Sequence, residues 1–304
     1  MSYRFDRLTT MESDFKALNA LKLTPFTYIA GAEELQVSFY SSPHVFHFKE
    51  PADKKRIVLH FTAGPISSDI PQLTPAEDKP NHFVSVPFVV ARDGTIYQLF
   101  SSKYWAYNLG MKASDGNVDH IFERESIAIE ISNYGVLIPD ENNLKTIYHT
   151  PAHPDLYCNK EQEAAYKLLD QPFRKNQYYA TFTDLQLQST IKLIRWITEK
   201  YNIKRDFLDV ADRYTCKSST QNFNGITSHV NYRKDGKWDI GPAFDWDRLI
   251  SGVQAPSSAT RAGRKNKKII TEDGALKGKT RGARYGKDKE AEWVEYDPFE
   301  WERK

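Results

Sequence analysis

The segment Arg56-Ile57-Val58-Leu59-His60-Phe61-Thr62, followed by Ala63-Gly64, constrains the fold more than any other stretch of the chain. It is a short apolar run bounded by turn residues, and such a run reads as a central strand buried on both faces. A strand of that kind needs a layer above it and a layer below it. Residues 84–92 and 95–100 are rich in Val, Ile, Phe and Tyr and are joined by Asp93-Gly94, which predicts a hairpin closed by a type I′ turn. Pro87 lacks the N–H that a ladder requires, so the first of these strands is expected at an edge or at a bulge. In Ser126-Ile127-Ala128-Ile129-Glu130-Ile131-Ser132 the isoleucines share one face, while Ser126, Ala128, Glu130 and Ser132 share the other. A carboxylate among small residues suggests the floor of a cavity. Thr183-Asp184-Leu185-Gln186 has capping-box form and opens a helix with apolar positions at Leu187, Ile191, Ile194 and Ile197, ending near Tyr201-Asn202. Strands and helices interleave, so the expected class is α/β, a central mixed β-sheet with helices packed on it.

The sequence divides into three parts. Residues 1–55 read as an N-terminal extension packed on the main domain, 56–250 as that domain, and 251–304 as a tail. Residues 136–180 form a long insertion in the domain, with a helix expected at 160–169. From 255 to 289 the chain is rich in Ser, Ala, Gly, Lys and Arg, which reads as a flexible basic tail, ending in an acidic and aromatic segment at 293–301. Two readings stand for this tail: contact with anionic polymers, or a solvated linker. Across the whole chain 42 basic residues nearly balance 40 acidic ones, and the net charge of +2 gives no global steering towards nucleic acid. Cys158 and Cys216 are too few for a disulfide framework. The first residues lack the apolar core and cleavage site of a secretory signal, and no stretch approaches the roughly 18 to 20 apolar residues of a membrane span. Synthesis in the cytoplasm is therefore expected.

Chemistry concentrates in Ser228-His229-Val230-Asn231-Tyr232-Arg233-Lys234-Asp235-Gly236-Lys237-Trp238-Asp239, which offers an imidazole, an amine, and a carboxylate two residues after the amine. A hydrolytic zinc site takes about three N or O ligands from the protein and leaves one position open. His229 and Asp239 are candidates for two, and His60 at the end of a buried strand is a candidate for the third. His149 and His153 have the spacing of a helical zinc pair, but Pro151 and Pro154 argue against a helix there. Trp105 and Tyr107 read equally well as a stacking surface for sugar or peptide and as core packing.

With these residues in view, the chain resembles the zinc amidases called amidase type 2, a family of phage endolysins, amidases of wall recycling and animal peptidoglycan recognition proteins. Four blocks correspond in order. They are Ile57 to Gly64; Val84-Ser85 through Arg92-Asp93-Gly94 to Gln98; Ser126 to Glu130; and His229 with Lys237-Trp238-Asp239-Ile240-Gly241-Pro242-Ala243-Phe244-Asp245-Trp246. The resemblance implies Zn2+ held by His60, His229 and Asp239, with Glu130 orienting or deprotonating the attacking water and Lys237 stabilising the oxyanion. It implies as substrate the amide between N-acetylmuramic acid and L-alanine in peptidoglycan or muropeptides, reached by release, delivery or a cytosolic recycling route. Tyr107-Asn108 stand where the family often has Trp-His, and a histidine common in the hairpin block is replaced near Pro87, so altered substrate contacts at Trp105, Tyr107 and Asn108 are expected. The rival reading is a peptidoglycan-binding receptor of the same fold without catalysis. Such members typically lack a zinc ligand, whereas here all three candidates are present.

Overall fold

The computed structural model describes residues 3–75 and 83–256, with two short paired strands further on. Two large sheets organise the described residues. The first has seven strands in the order β1-β2-β5-β4-β6-β3-β12. These are β1 (Leu23–Ala30), β2 (Glu33–Tyr40), β3 (Arg56–Phe61), β4 (Phe88–Val90), β5 (Ile96–Gln98), β6 (Ser126–Ile131) and β12 (Ile226–Ser228). Strands β4, β6, β3 and the edge strand β12 run parallel to one another. Every residue of β3 is buried, which explains the unbroken apolar run in its sequence. Side-chain parity then divides the work of the two faces. Ile57 and Leu59 of β3, with Ile127, Ile129 and Ile131 of β6, pack into the main core with helices α4 (Asp184–Tyr201) and α6 (Trp246–Gln254). The opposite face carries His60 and Glu130, beside helix α2 (Ile66–Leu73).

Helix α4 forms where the capping box predicts it. Thr183 Oγ1 accepts from the Gln186 N–H at 3.1 Å, Gln186 Oε1 accepts from the Thr183 N–H at 3.1 Å, and Asn202 ends the helix in the left-handed region at φ 52°. The segment read as an N-terminal extension does more than pack on the domain, because β1 and β2 extend its sheet. Helix α1 (Arg4–Leu18) docks through Glu12, whose carboxylate accepts from the backbone N–H groups of Arg92 (2.6 Å) and Asp93 (3.1 Å). Two further short helices, α3 (Ile121–Arg124) and α5 (Ser218–Gln221), lie in the connections.

The insertion builds the second sheet, antiparallel throughout, in the order β10-β11-β7-β8-β9. Its strands are β7 (Val136–Asp140), β8 (Asn143–Thr146), β9 (Leu156–Asn159), β10 (Tyr166–Phe173) and β11 (Asn176–Ala180). The helix expected at 160–169 is absent. Only a single 3-10 turn, Glu163–Ala165, forms there, and Tyr166, Lys167 and Leu168 pair with Ala180, Tyr179 and Tyr178. Long-range pairing outweighs local propensity here.

Two details of the hairpin also differ from expectation. The turn is of type I at Arg92 and Asp93 followed by Gly94 at φ 83°, with Gly94 N–H donating to the Ala91 carbonyl at 2.9 Å, so only Gly94 needs positive φ. Strand β4 lies inside the sheet, between β5 and β6, and begins after Pro87. Pro87 thus costs the ladder no donor, and its carbonyl accepts from Leu99 N–H at 2.9 Å. Past residue 256 two strands, β13 (Ile269–Ile270) and β14 (Leu276–Lys277), pair antiparallel. The rest of the basic tail, with the aromatic segment at 293–301, lies outside the described residues, as do residues 1–2 and 76–82. Among the described residues no helix is long and apolar enough to cross a membrane.

Candidate active site

His60 is the penultimate residue of β3, and the parallel register pairs it with Glu130 on β6. His229 follows directly on β12, the neighbour of β3 on its other side. Three candidate side chains thus leave three adjacent parallel strands at their carboxyl ends, where open α/β sheets bind ligands. Asp239 arrives on a loop that is closed by Val230 N–H donating to the Asp239 carbonyl at 2.9 Å.

The candidate ligand atoms converge. His60 Nδ1 lies 2.9 Å from His229 Nδ1, His229 Nδ1 lies 2.9 Å from Asp239 Oδ2, and His60 Nδ1 lies 3.3 Å from the same oxygen. Among the described residues this is the one group of three or more His, Cys, Asp and Glu side chains placed to hold a metal ion. The donor set fits zinc. Bonds of about 2.0–2.1 Å in a tetrahedral site separate ligand atoms by roughly 3.3 Å. Three lone-pair atoms pressed together without a cation or proton between them repel one another. His229 Nε2 lies 3.0 Å from the carbonyl oxygen of Leu109. A carbonyl only accepts, so the proton resides on Nε2 and the Nδ1 lone pair is left for a metal.

Burial and neighbouring charge set the protonation of the site. Burial, with the neighbouring His229, lowers His60 to about 4 against the opposing pull of Asp239, so the neutral form that a metal would require prevails. Burial works against ionisation of Asp239, but the neighbouring imidazoles of His229 and His60 outweigh it and hold the carboxyl far below its ordinary range. Glu130 is pushed well above the ordinary carboxylate value, first by burial and then by Asp239 and Asp69, while Lys237 pulls the other way. Its Oε2 is buried with no hydrogen-bond partner. A divalent cation nearby would draw it back towards the ionised form.

These residues share a cavity of about 300 Å3. His60, Glu130, His229, Lys237 and Asp239 line it, and so do Tyr107 and Asn108. Trp105 stands one layer back. Its ring is stacked on Phe48 at 4.0 Å, faces His120 at 5.8 Å, and meets Tyr107 edge-on at 5.8 Å. The insertion walls the cavity through Ile147 and Tyr148. Residue types did not single out these two, nor the Leu109 carbonyl. A backbone acceptor leaves no mark in a sequence, and the cavity-facing pair depends on how the second sheet folds back.

Residues 50–242 match the family model Amidase_2, described as N-acetylmuramoyl-L-alanine amidase. The chain belongs to this amidase family. No curated protein matches it. Among solved structures, similarity extends to a selenomethionine derivative of AmpD, with 17% identity over 72% of this chain and 94% of that one and a TM-score of 0.38. It extends also to the amidase LysC from Clostridium intestinale, with 12% identity, 72% and 98% coverage and a TM-score of 0.39. A third is the amidase AmiD from E. coli, solved with anhydro-N-acetylmuramic acid-L-Ala-D-gamma-Glu-L-Lys, with 18% identity, 74% and 65% coverage and a TM-score of 0.40. The amidase assignment rests on the family match, which spans the first three ordered blocks of the sequence and the fourth as far as Pro242.

Proposed function

We propose that this amidase is a zinc hydrolase that cuts the amide between the lactyl group of N-acetylmuramic acid and L-alanine in peptidoglycan or muropeptides. The observation that carries this reading is the triangle of His60, His229 and Asp239 ligand atoms, with edges of 2.9, 2.9 and 3.3 Å, on the wall of a cavity shared with Glu130 and Lys237. Those three side chains would hold the ion, which would supply a Lewis acid for the amide carbonyl and for the attacking water.

The rest is the work of the chain's own groups. Glu130 Oε2, unpartnered in the cavity, takes a proton from the water as its oxygen bonds to the carbonyl carbon. As the C–N bond breaks, the same carboxyl returns that proton to the leaving nitrogen of L-alanine. Lys237, close enough to act on both His60 and Glu130, places its ammonium where negative charge grows on the carbonyl oxygen. Tyr107 and Asn108, which line the same cavity, contact the substrate, and Trp105 packs edge-on against Tyr107.

The test is mass spectrometry of purified muropeptides after incubation with the full chain, alongside zinc analysis of the protein. One zinc per chain and new L-alanine amino termini are expected. A chain without zinc after mild preparation, or one that binds peptidoglycan and releases no L-alanine termini, overturns the proposal.

A further inference from the structure

We propose that Arg174, in the insertion, is a positioning residue for the zinc site. It gathers the loop that presents His229, Lys237 and Asp239 around its guanidinium. The inference rests on the zinc reading above. Nη1 donates to the carbonyl of Arg233 at 3.1 Å and to the carbonyl of Lys237, and Nη2 donates to the carbonyl of Val230 at 3.2 Å. The three acceptors come from one stretch, which starts one residue after His229 and ends two before Asp239. Carbonyl dipoles aimed at a single point repel one another, and a planar, permanently charged fork is the side chain best shaped to hold several at once.

The local backbone argues that the arginine serves the loop and not its own turn. Strands β10 and β11 are joined by Arg174 and Lys175 at φ 47° and 71°, between the paired residues Phe173 and Asn176. A two-residue turn with both residues at positive φ favours Asn and Gly, and a long side chain there carries a steric cost. The neighbouring residue reinforces the docking. A Cβ at Gly241 would lie 2.7 Å from the ring of Phe173, so ring and backbone are already in contact two residues past Asp239. The Phe173 ring also meets Tyr214 at 5.3 Å. The second sheet therefore grips both ends of the segment that carries two ligands and the cavity lysine.

Arg174→Asn separates this role from a plain turn role, because asparagine tolerates positive φ and suits this turn. In the full chain, three quantities are compared with wild type: zinc affinity by chelator competition, the urea midpoint of the zinc-free protein, and kcat and KM on muropeptides. The expected result is an unchanged zinc-free midpoint, zinc binding weakened by about 10-fold or more, and kcat lowered about 10-fold at nearly constant KM, the scale of losing a group that orients metal ligands. Wild-type zinc affinity and kcat in Arg174→Asn overturn the inference. Should that variant not fold, Arg174→Gly, which carries no steric cost at φ 47°, is read the same way. Failure of the wild type itself to bind zinc would strike the proposed function instead, so the two failures are told apart.

Discussion

The two large sheets among the described residues contribute to one site in different ways. The seven-stranded sheet is covered on both faces at its centre, and its parallel strands place His60, Glu130 and His229 by register. The five-stranded sheet is antiparallel and more exposed, and it meets the site through turns and loops: Ile147 and Tyr148 on the cavity wall, Phe173 and Arg174 on the ligand loop. In the proposed mechanism the first sheet supplies the reacting groups, while the second lines the cavity and binds the loop at 230–241. Rigid strands suit groups that must hold sub-ångström relations, and loops on a second layer suit adjustment of what reaches them.

Substitutions on the first sheet should have the largest effects. His229→Ala removes a ligand, and the expected outcome is loss of stoichiometric zinc together with all muropeptide cleavage. Glu130→Gln, on the next strand but one, should keep zinc yet lower kcat by about 10²- to 10⁴-fold. If Glu130→Gln also lost the metal, the division between ligand and proton carrier would fail. Lys237→Ala is expected to retain zinc and lose about 10²- to 10³-fold in kcat, or roughly 2.7–4 kcal/mol of transition-state stabilisation. A fall in turnover of less than a factor of ten would remove Lys237 from the oxyanion role.

The seam between the sheets predicts a smaller effect. Gly241→Ala adds a methyl 2.7 Å from the Phe173 ring. A loss of about 1–3 kcal/mol in urea denaturation is expected from such overpacking. An unchanged midpoint would mean that the second sheet yields freely and does not brace the loop.

The most pH-selective effect belongs to Asp69 on α2. Burial lifts its carboxyl to about 7 against hydrogen bonds from Ser132, Thr62 and Ser68. The folded state thus binds this proton more tightly than the unfolded chain, whose value is near 3.8. The stability it confers is complete below about pH 4 and is lost as pH rises through about 7. Asp69→Asn cannot titrate, so the urea midpoint of the wild type should fall relative to the variant between those limits. Parallel profiles across that range would contradict the assignment.

Much of the first sheet was legible in sequence because its signals are local. The alternation in Ser126 to Ser132 placed Glu130 opposite the isoleucine face, the unbroken run before His60 announced a doubly covered strand, and Thr183 with Gln186 fixed a helix start. The second sheet was not legible. Its strand pairs join distant residues, such as Tyr178 with Leu137, and one hairpin turns through Arg174-Lys175, where no glycine or asparagine flags a turn. The segment at 160–169 looked helical because its own propensity was all a local reading could weigh. In the site, residue types pointed to three candidate ligands, but pairing Arg174 with carbonyls some sixty positions away required the folded chain.

The contact from His229 Nε2 to the Leu109 carbonyl has an implication for how such a centre changes over time. An oxygen of the main chain is present whatever amino acid occupies position 109, so no single codon change can delete it. Variation can reach this imidazole only indirectly, by moving the strand of chain that carries the oxygen, for instance through Arg233, which binds the adjacent Gly110 carbonyl at 3.2 Å. The orientation of the histidine is thereby shielded from most point mutation and exposed to insertions and deletions around 106–110.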